Sequence, residues 1–122
     1  MSDGDRLVRK RRSERKGRRA EWLAALALML RGYRIVALRY RTPVGEIDIV
    51  ARKGDLIALV EVKARRDLTS GVDAVSYPAQ RRIAAAGALY ISRQRDSALL
   101  SWRCDIVVVS PWTWPVHLED AF

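Results

Sequence analysis

Gly45-Glu46-Ile47-Asp48-Ile49-Val50, followed after a short turn by Leu59-Val60-Glu61-Val62-Lys63, sets two carboxylates and a lysine inside otherwise apolar segments. Burying an unpaired charge costs several kcal/mol, so charges in such segments lie either at a solvated strand end or against a partner. Residues 46–52 and 55–64 are rich in Ile, Val and Leu, and Lys53-Gly54 between them supplies the glycine of a tight turn, so the pair reads as a β-hairpin. With Lys53 and Gly54 as the two loop residues, Asp48 faces Leu59 and Glu46 faces Glu61. Strand side chains alternate, so Glu46, Asp48, Ile57, Leu59, Glu61 and Lys63 share one face, and Ile47, Ile49, Ala58, Val60 and Val62 share the other. The first face is apolar at Ile57 and Leu59 and charged at Glu61 and Lys63, like a core layer opening into a pocket. Asp48 and Glu61 are diagonal neighbours there, with Cβ atoms ~7–8 Å apart, a span that one hard cation can bridge. The competing reading is a solvated strand edge with Glu61 and Lys63 as a surface pair. Against it stands the apolar run from Leu56 to Val62, which suits a strand covered on both faces in the middle of a sheet.

The flanking segments complete an α/β pattern. Ser13 to Leu30 reads as an amphipathic helix, capped by Ser13, ended by Gly32 and apolar at Leu23, Leu26, Ala27 and Leu30. Arg34 to Arg41 alternates around Ile35, Val36 and Leu38 as a first strand, and Thr42-Pro43-Val44-Gly45 turns it into the hairpin. After a polar loop from Arg65 to Val75 containing Gly71, Ser76 and Pro78 open a second helix with Ile83, Ala86 and Tyr90 on one stripe, reaching about Arg93. Trp102 to Ser110 follows as a strand, and strand, helix, strand in this order implies a right-handed crossover between parallel strands. Val116 to Leu118 adds an edge strand between Pro111, Pro115 and the last residues.

At 122 residues and 49% hydrophobic content the chain suits one domain, residues 13–122, preceded by a basic and flexible arm over residues 1–12. The net charge is +9 and the pI near 10.6, which favours a polyanionic partner. Residues 1–19 carry nine Lys or Arg against Asp3, Asp5 and Glu14, so most of the excess lies at the N-terminal end. That end reads as a solubilising tail, a clamp on phosphates or the basic flank of a targeting signal. Trp22 to Leu30 is too short to span a bilayer and runs into Arg31-Gly32-Tyr33-Arg34 without a small-residue cleavage site, so neither a membrane span nor a signal peptide is expected. The single Cys104 excludes an intramolecular disulfide and a cysteine-rich zinc site, which points to a reducing cytoplasm. His117 is the only histidine; it reads as a surface residue. Trp102, Trp112 and Trp114 read as core and edge packing, with stacking on unpaired bases as the alternative, and Trp22 as a core or dimer contact.

Helix, three strands, helix, strand, with an acid on the second strand and Glu-x-Lys on the third, resembles the PD-(D/E)XK nuclease superfamily. More closely, the chain resembles the small bacterial YraN family, described as endonuclease-like. The resemblance covers Gly17 to Phe122. It rests on Gly17-Arg18-Arg19-Ala20-Glu21, Gly45 to Ala51, Val60-Glu61-Val62-Lys63-Ala64-Arg65, Gly71 with Val75, Arg103-Cys104-Asp105-Ile106, and Ala121-Phe122. It implies a restriction endonuclease-like fold, a mixed β-sheet flanked by helices, around a metal-dependent phosphodiesterase centre. On that resemblance Asp48, Glu61 and Glu21 would hold Mg²⁺ or Mn²⁺, with Lys63 beside the attacking water and Glu46 as an additional ligand or a surface acid. Arg18, Arg19, Arg65, Arg81 and Arg82 would meet nucleic acid, with DNA as the expected partner and a homodimer compatible with the small size. Two positions depart from the family pattern: Ala79 where a lysine is usual, and Arg39 where an asparagine is common. Asp105 matches the pattern and reads as structural, paired with Arg103 or Arg65. The expected function is thus a metal-dependent nuclease, the alternatives being a binding module of the same fold that cuts nothing and a protein-interaction domain with an incidental acidic patch.

Overall fold

Helix α1 spans Asp3–Leu30, and strands β1 (Arg34–Thr42), β2 (Gly45–Lys53) and β3 (Leu56–Ala64) follow it directly. Helix α2 (Tyr77–Ser92), a short 3₁₀ turn at Ser97–Leu99, β4 (Ser101–Val109) and β5 (Val116–Leu118) complete the order. This computed structural model describes residues 3–66 and 75–122, with side chains from Gly17 onward. The flexible arm expected over residues 1–12 falls largely on side chains outside that description, as does most of the loop around Gly71. Helix α1 runs through Ser13 instead of starting there.

One open sheet holds all five strands in the order β1-β2-β3-β4-β5. Neighbours are antiparallel except β3 and β4, which are parallel across all nine residues from the Leu56↔Ser101 pair to Ala64↔Val109. The parallel pair is the expected crossover through α2, and β5 is the expected edge strand. With helices on the sheet, the architecture is mixed α/β, consistent with a restriction endonuclease-like fold.

Two buried layers cover the sheet. On one side Ile57, Leu59, Ile106 and Val108 pack with Ile83 and Ala86 of α2. On the other Ile49, Ala51, Ala58, Val60 and Val107 pack with Ala24, Ala25 and Leu28 of α1. Ser76 caps α2, its Oγ accepting from Ala79 N–H at 3.3 Å, with Pro78 in the first turn. Gly32, at φ +93°, ends α1 as expected.

The hairpin register differs from the expected one by two residues. Lys53 pairs with Leu56 and Ile49 with Val60, so the loop is Gly54-Asp55 and not Lys53-Gly54. Gly54 takes φ +62° at the first loop position, the place a two-residue hairpin favours glycine, and that choice sets the slip. Freed from the turn, Lys53 donates to the Arg31 carbonyl at 2.9 Å, tying the hairpin to the C-terminal end of α1.

The outward face of α1 is the other departure. Ala20, Ala24, Ala25, Ala27 and Leu28 are buried, whereas Trp22, Leu23, Leu26 and Leu30 are exposed. Of the expected stripe only Ala27 faces the core, because close approach of a helix to a sheet selects alanine over leucine. The tryptophans likewise are not core: Trp22 is 64% exposed, Trp114 56% and Trp112 101%.

Candidate functional site

The ladder between β2 and β3 ends at the Ile49↔Val60 pair. One residue further the Asp48 carboxylate replaces it, Oδ2 accepting from Val62 N–H at 2.8 Å. On the other flank Arg39, between the Leu38↔Ile49 and Tyr40↔Ile47 pairs, adopts φ +52°. The irregularity flips the alternation: Ile47 packs with Val50, Ile57 and Leu59 on the α2 side, whereas its neighbour Ile49 lies on the α1 side. A strand distorted in this way re-aims a side chain, and such distortions concentrate next to active sites. Here the re-aimed side chain is Ile47, while Asp48 keeps the α2 side with Val50 and lines the cleft there.

Asp48 and Glu61 are the next residues beyond the Ile49↔Val60 pair, and both line the same cleft. The shift by two leaves Asp48 and Glu61 together on the Ile57–Leu59 face as expected, but Ile47, expected on the face of Ile49 and Val60, lies on that face too. Glu61 accepts an ion pair from Lys63 Nζ at 3.1 Å, both side chains about one-fifth exposed. Burial, then the Glu61 charge, push the Asp48 carboxyl up to about 7, with Glu21 adding to the rise; the Val62 N–H and Lys63 oppose it. Glu21 reaches the site from α1 and is held by Arg39 Nε at 2.8 Å. The Arg39 guanidinium is in turn raised above its ordinary value, first by that bond and then, against burial, by the charges of Glu21, Glu46 and Asp48. Arg39 is thus the cation at the centre of the acids. Sequence reasoning noted it only as a departure from the family pattern, although its left-handed backbone is one that asparagine tolerates better than arginine.

Glu46, Asp48 and Glu61 line a cleft of about 360 Å³ that α2 closes with Ala79, Arg82 and Ile83. Gly45 makes this closure feasible: a Cβ there would stand 2.6 Å from the Arg82 carbonyl oxygen. Glu46 sits at the rim, paired with Arg41 at 3.4 Å. Of the expected phosphate contacts, Arg82 lines this cleft, and both Arg81 and Arg82 line an adjoining one of about 320 Å³ with Val44 and Pro78. Arg19 and Arg65 line a separate groove on the α1 side, and Arg18 is exposed on α1.

Among the described residues no three His, Cys, Asp or Glu side chains converge as a ready metal cage. The donor set is a pair of carboxylates, with Glu21 engaged by Arg39. Mg²⁺ suits such a pair, because it keeps several waters and is commonly held by one or two carboxylates plus substrate phosphate. A carboxyl raised by burial and by the charge of its neighbour is also one whose repulsion a dication would relieve.

Asp105 builds a second cluster, on β4 and fully buried. Arg103 donates to both its oxygens at 2.8 and 3.0 Å, His117 Nε2 lies 2.7 Å from Oδ2, and Asp120 N–H donates to Oδ1 at 3.0 Å. Burial alone would raise this carboxyl, but those bonds hold it below the usual carboxylate range. The pairing with Arg103 is the expected one. His117 is not a surface residue: its side chain is 3% exposed, and Arg31 donates to its Nδ1 at 2.6 Å, which assigns the proton to Nε2, facing Asp105. Cys104 beside it is buried, and burial pushes its thiol up to about 11, so it is no nucleophile at neutral pH.

Comparison with known proteins places this geometry in a family. The model of the uncharacterised protein family UPF0102 matches residues 20–109, which include Glu21, Asp48, Glu61, Lys63 and Asp105. The chain belongs to UPF0102. A UPF0102 protein of Chelativorans sp. (strain BNC1) is 58% identical over 113 residues, covering 93% of this chain and 91% of the relative. The UPF0102 protein of Rhizobium meliloti (strain 1021) is 61% identical over 115 residues, with 94% of each chain covered. That of Rhizobium etli (strain CIAT 652) is 57% identical over the full length of both. Among the described residues of this UPF0102 protein no helix is long and apolar enough to cross a membrane.

Proposed function

We propose that this UPF0102 protein is a metal-dependent nuclease that hydrolyses phosphodiesters in DNA or another structured nucleic acid, in the cytoplasm. One observation carries the reading: Asp48 and Glu61 line one cleft where the β2–β3 ladder breaks, beside Lys63 and with Arg82 at its edge. Asp48 and Glu61 would hold Mg²⁺ or Mn²⁺, and Glu21 would join them through the oxygen that Arg39 leaves free. Such an ion would polarise the phosphate and lower the proton affinity of a bound water. Lys63, whose Nζ is already positioned by Glu61, supplies positive charge for the charge that develops on the phosphate oxygens. Arg82, at the cleft edge, and Arg81 beside it orient the backbone of the substrate, while Arg18, Arg19 and Arg65 extend the basic surface around the end of β3.

Cleavage assays on branched, single-stranded and duplex DNA with Mg²⁺ or Mn²⁺ test this reading. Activity is expected from the wild type and lost by at least about a hundredfold in Lys63→Ala and Asp48→Asn. Equal activity in all three proteins would sink the assignment. A binding module that cuts nothing is the second reading, favoured by the Glu21–Arg39 pair and by Ala79, which leaves the cleft without a lysine on α2. It predicts tight, salt-sensitive binding that is indifferent to metal.

A further inference from the structure

Beyond the carboxylate cleft, the C-terminal end of β3 opens on the opposite face of the sheet into a groove of about 480 Å³ against α1. Arg19, Arg65 and Arg66 line it together with Leu23, Val109 and Pro111, and no carboxylate is among its described lining residues. Its volume lies in the range of small-ligand sites, roughly 300–1,000 Å³. Three guanidinium groups around an apolar floor match a ligand that is anionic along one side and flat and apolar on the other. A nucleotide with an unstacked base has that character. A base inside a duplex presents its apolar faces to its neighbours and not to a protein.

Trp112 supplies a second, independent observation. It follows Pro111 directly, its side chain is completely exposed, and its backbone sits at φ +69°, a conformation that costs a bulky residue of order 1–2 kcal/mol. Strain that holds an indole out in water, next to an arginine-lined groove, gives no packing benefit to the free protein. An exposed indole is a stacking platform for unpaired bases.

The path between the two clefts narrows the choice further. Lys63 ends the carboxylate side, and Arg65 is two residues on, ~7 Å along the chain. A ligand touching both must therefore turn around the end of one β-strand. Duplex DNA, with a persistence length of ~150 bp, cannot make that turn, whereas a single strand can.

We infer that the groove of Arg19, Arg65, Arg66 and Pro111, together with the exposed Trp112 that follows Pro111, binds an unpaired nucleic-acid strand, so that the substrate must carry a single-stranded segment next to the phosphate cut. The inference deepens the nuclease reading and rests on it for the word substrate; the binding itself does not.

Fluorescence anisotropy with the full chain in EDTA tests it, using a labelled single-stranded oligonucleotide, its blunt duplex and the duplex with a single-stranded tail. Trp112→Gly, which also relieves the positive φ, and Arg66→Ala are each expected to weaken binding of the single strand and the tailed duplex about tenfold. Binding of the blunt duplex should fall less than about twofold, since its contacts are to other arginines. Equal losses on all three probes, or none on any, would overturn the inference. Offering the single strand as DNA and as RNA identifies the source of the strand, and failure of both to bind also overturns it. The two readings fail separately. No metal-dependent cleavage with the binding pattern intact removes the nuclease, and cleavage of blunt duplex as fast as tailed duplex, unaffected by Trp112→Gly, removes the groove.

Discussion

Replacing Asp48 by asparagine should make the metal-free protein more stable, an unusual direction for a substitution at a candidate catalytic residue. In the folded chain its carboxyl is raised from 3.8 to about 7, chiefly by burial and by Glu61. The folded state therefore keeps a proton that the unfolded chain has lost, and stability falls as pH rises across that interval. The contribution is present in full below about pH 4, is lost progressively toward pH 7 and is absent above it. The interval corresponds to a ceiling of about 4 kcal/mol. Solvent reaching the partly open cleft screens part of it, so about 2 kcal/mol is expected. Asparagine carries no charge and still offers Val62 N–H an acceptor. In a domain of this size that is a rise of about 5–10 °C in Tm. Thermal unfolding of both proteins in EDTA reads the difference. Asp48→Asn should melt higher than wild type at about pH 8, and the gap should shrink by more than half at about pH 5. Added Mg²⁺ should narrow the gap at pH 8 by stabilising the wild type alone. A variant less stable than wild type at pH 8 would refute the reasoning, because it would mean that Asp48 is a satisfied carboxylate and not a repelled one.

The same exchange at the other buried acid should act in the opposite sense. Asp105→Asn removes the negative charge that Arg103 grips through two bonds and takes one of the two oxygens from the further bonds of His117 and Asp120, and urea denaturation should show a loss of about 3–5 kcal/mol that added metal does not restore. Gly45→Ala should cost about 1–3 kcal/mol by the same assay, since its Cβ would meet the Arg82 carbonyl and push α2 off the sheet. It should also weaken nucleic-acid binding through displaced Arg82, a loss that a merely destabilised protein would recover on cooling.

The succession of elements was legible because the strands are short apolar runs bounded by glycine and proline, and the periodicity changes at α2. The parallel β3–β4 pair followed from connectivity alone. The hairpin register was not legible to two residues, since a glycine at either position of a two-residue loop satisfies the pattern, and only the pairing of Lys53 with Leu56 decides. The core face of α1 was misread because hydrophobicity weighs leucine above alanine, whereas the sheet accepts Ala20, Ala24 and Ala27 at close range and leaves Leu23, Leu26 and Leu30 in solvent. At the candidate site Asp48, Glu61 and Lys63 stood out as charges in apolar strands, and Glu21 entered through the family resemblance. Arg39 did not stand out, because an arginine in an alternating strand looks like a solvated face until its backbone turns left-handed. His117 was misplaced for a different reason. Its partners Arg31 and Asp105 lie 86 and 12 residues away, and nothing local in the sequence announces that closure.

That closure changes how the edge of the sheet behaves. A three-residue edge strand such as β5 ordinarily frays first, with little to hold it but a few backbone bonds. Here, lifting β5 strips His117 from Asp105, and the adjoining turn supplies the Asp120 N–H, so opening the edge leaves a buried charge half solvated within the core. The edge is thereby coupled to the centre. Its amides should exchange with solvent on the timescale of global unfolding, and β5 belongs to the same cooperative unit as β4, denying a neighbouring chain the loose strand on which edge-to-edge aggregation begins.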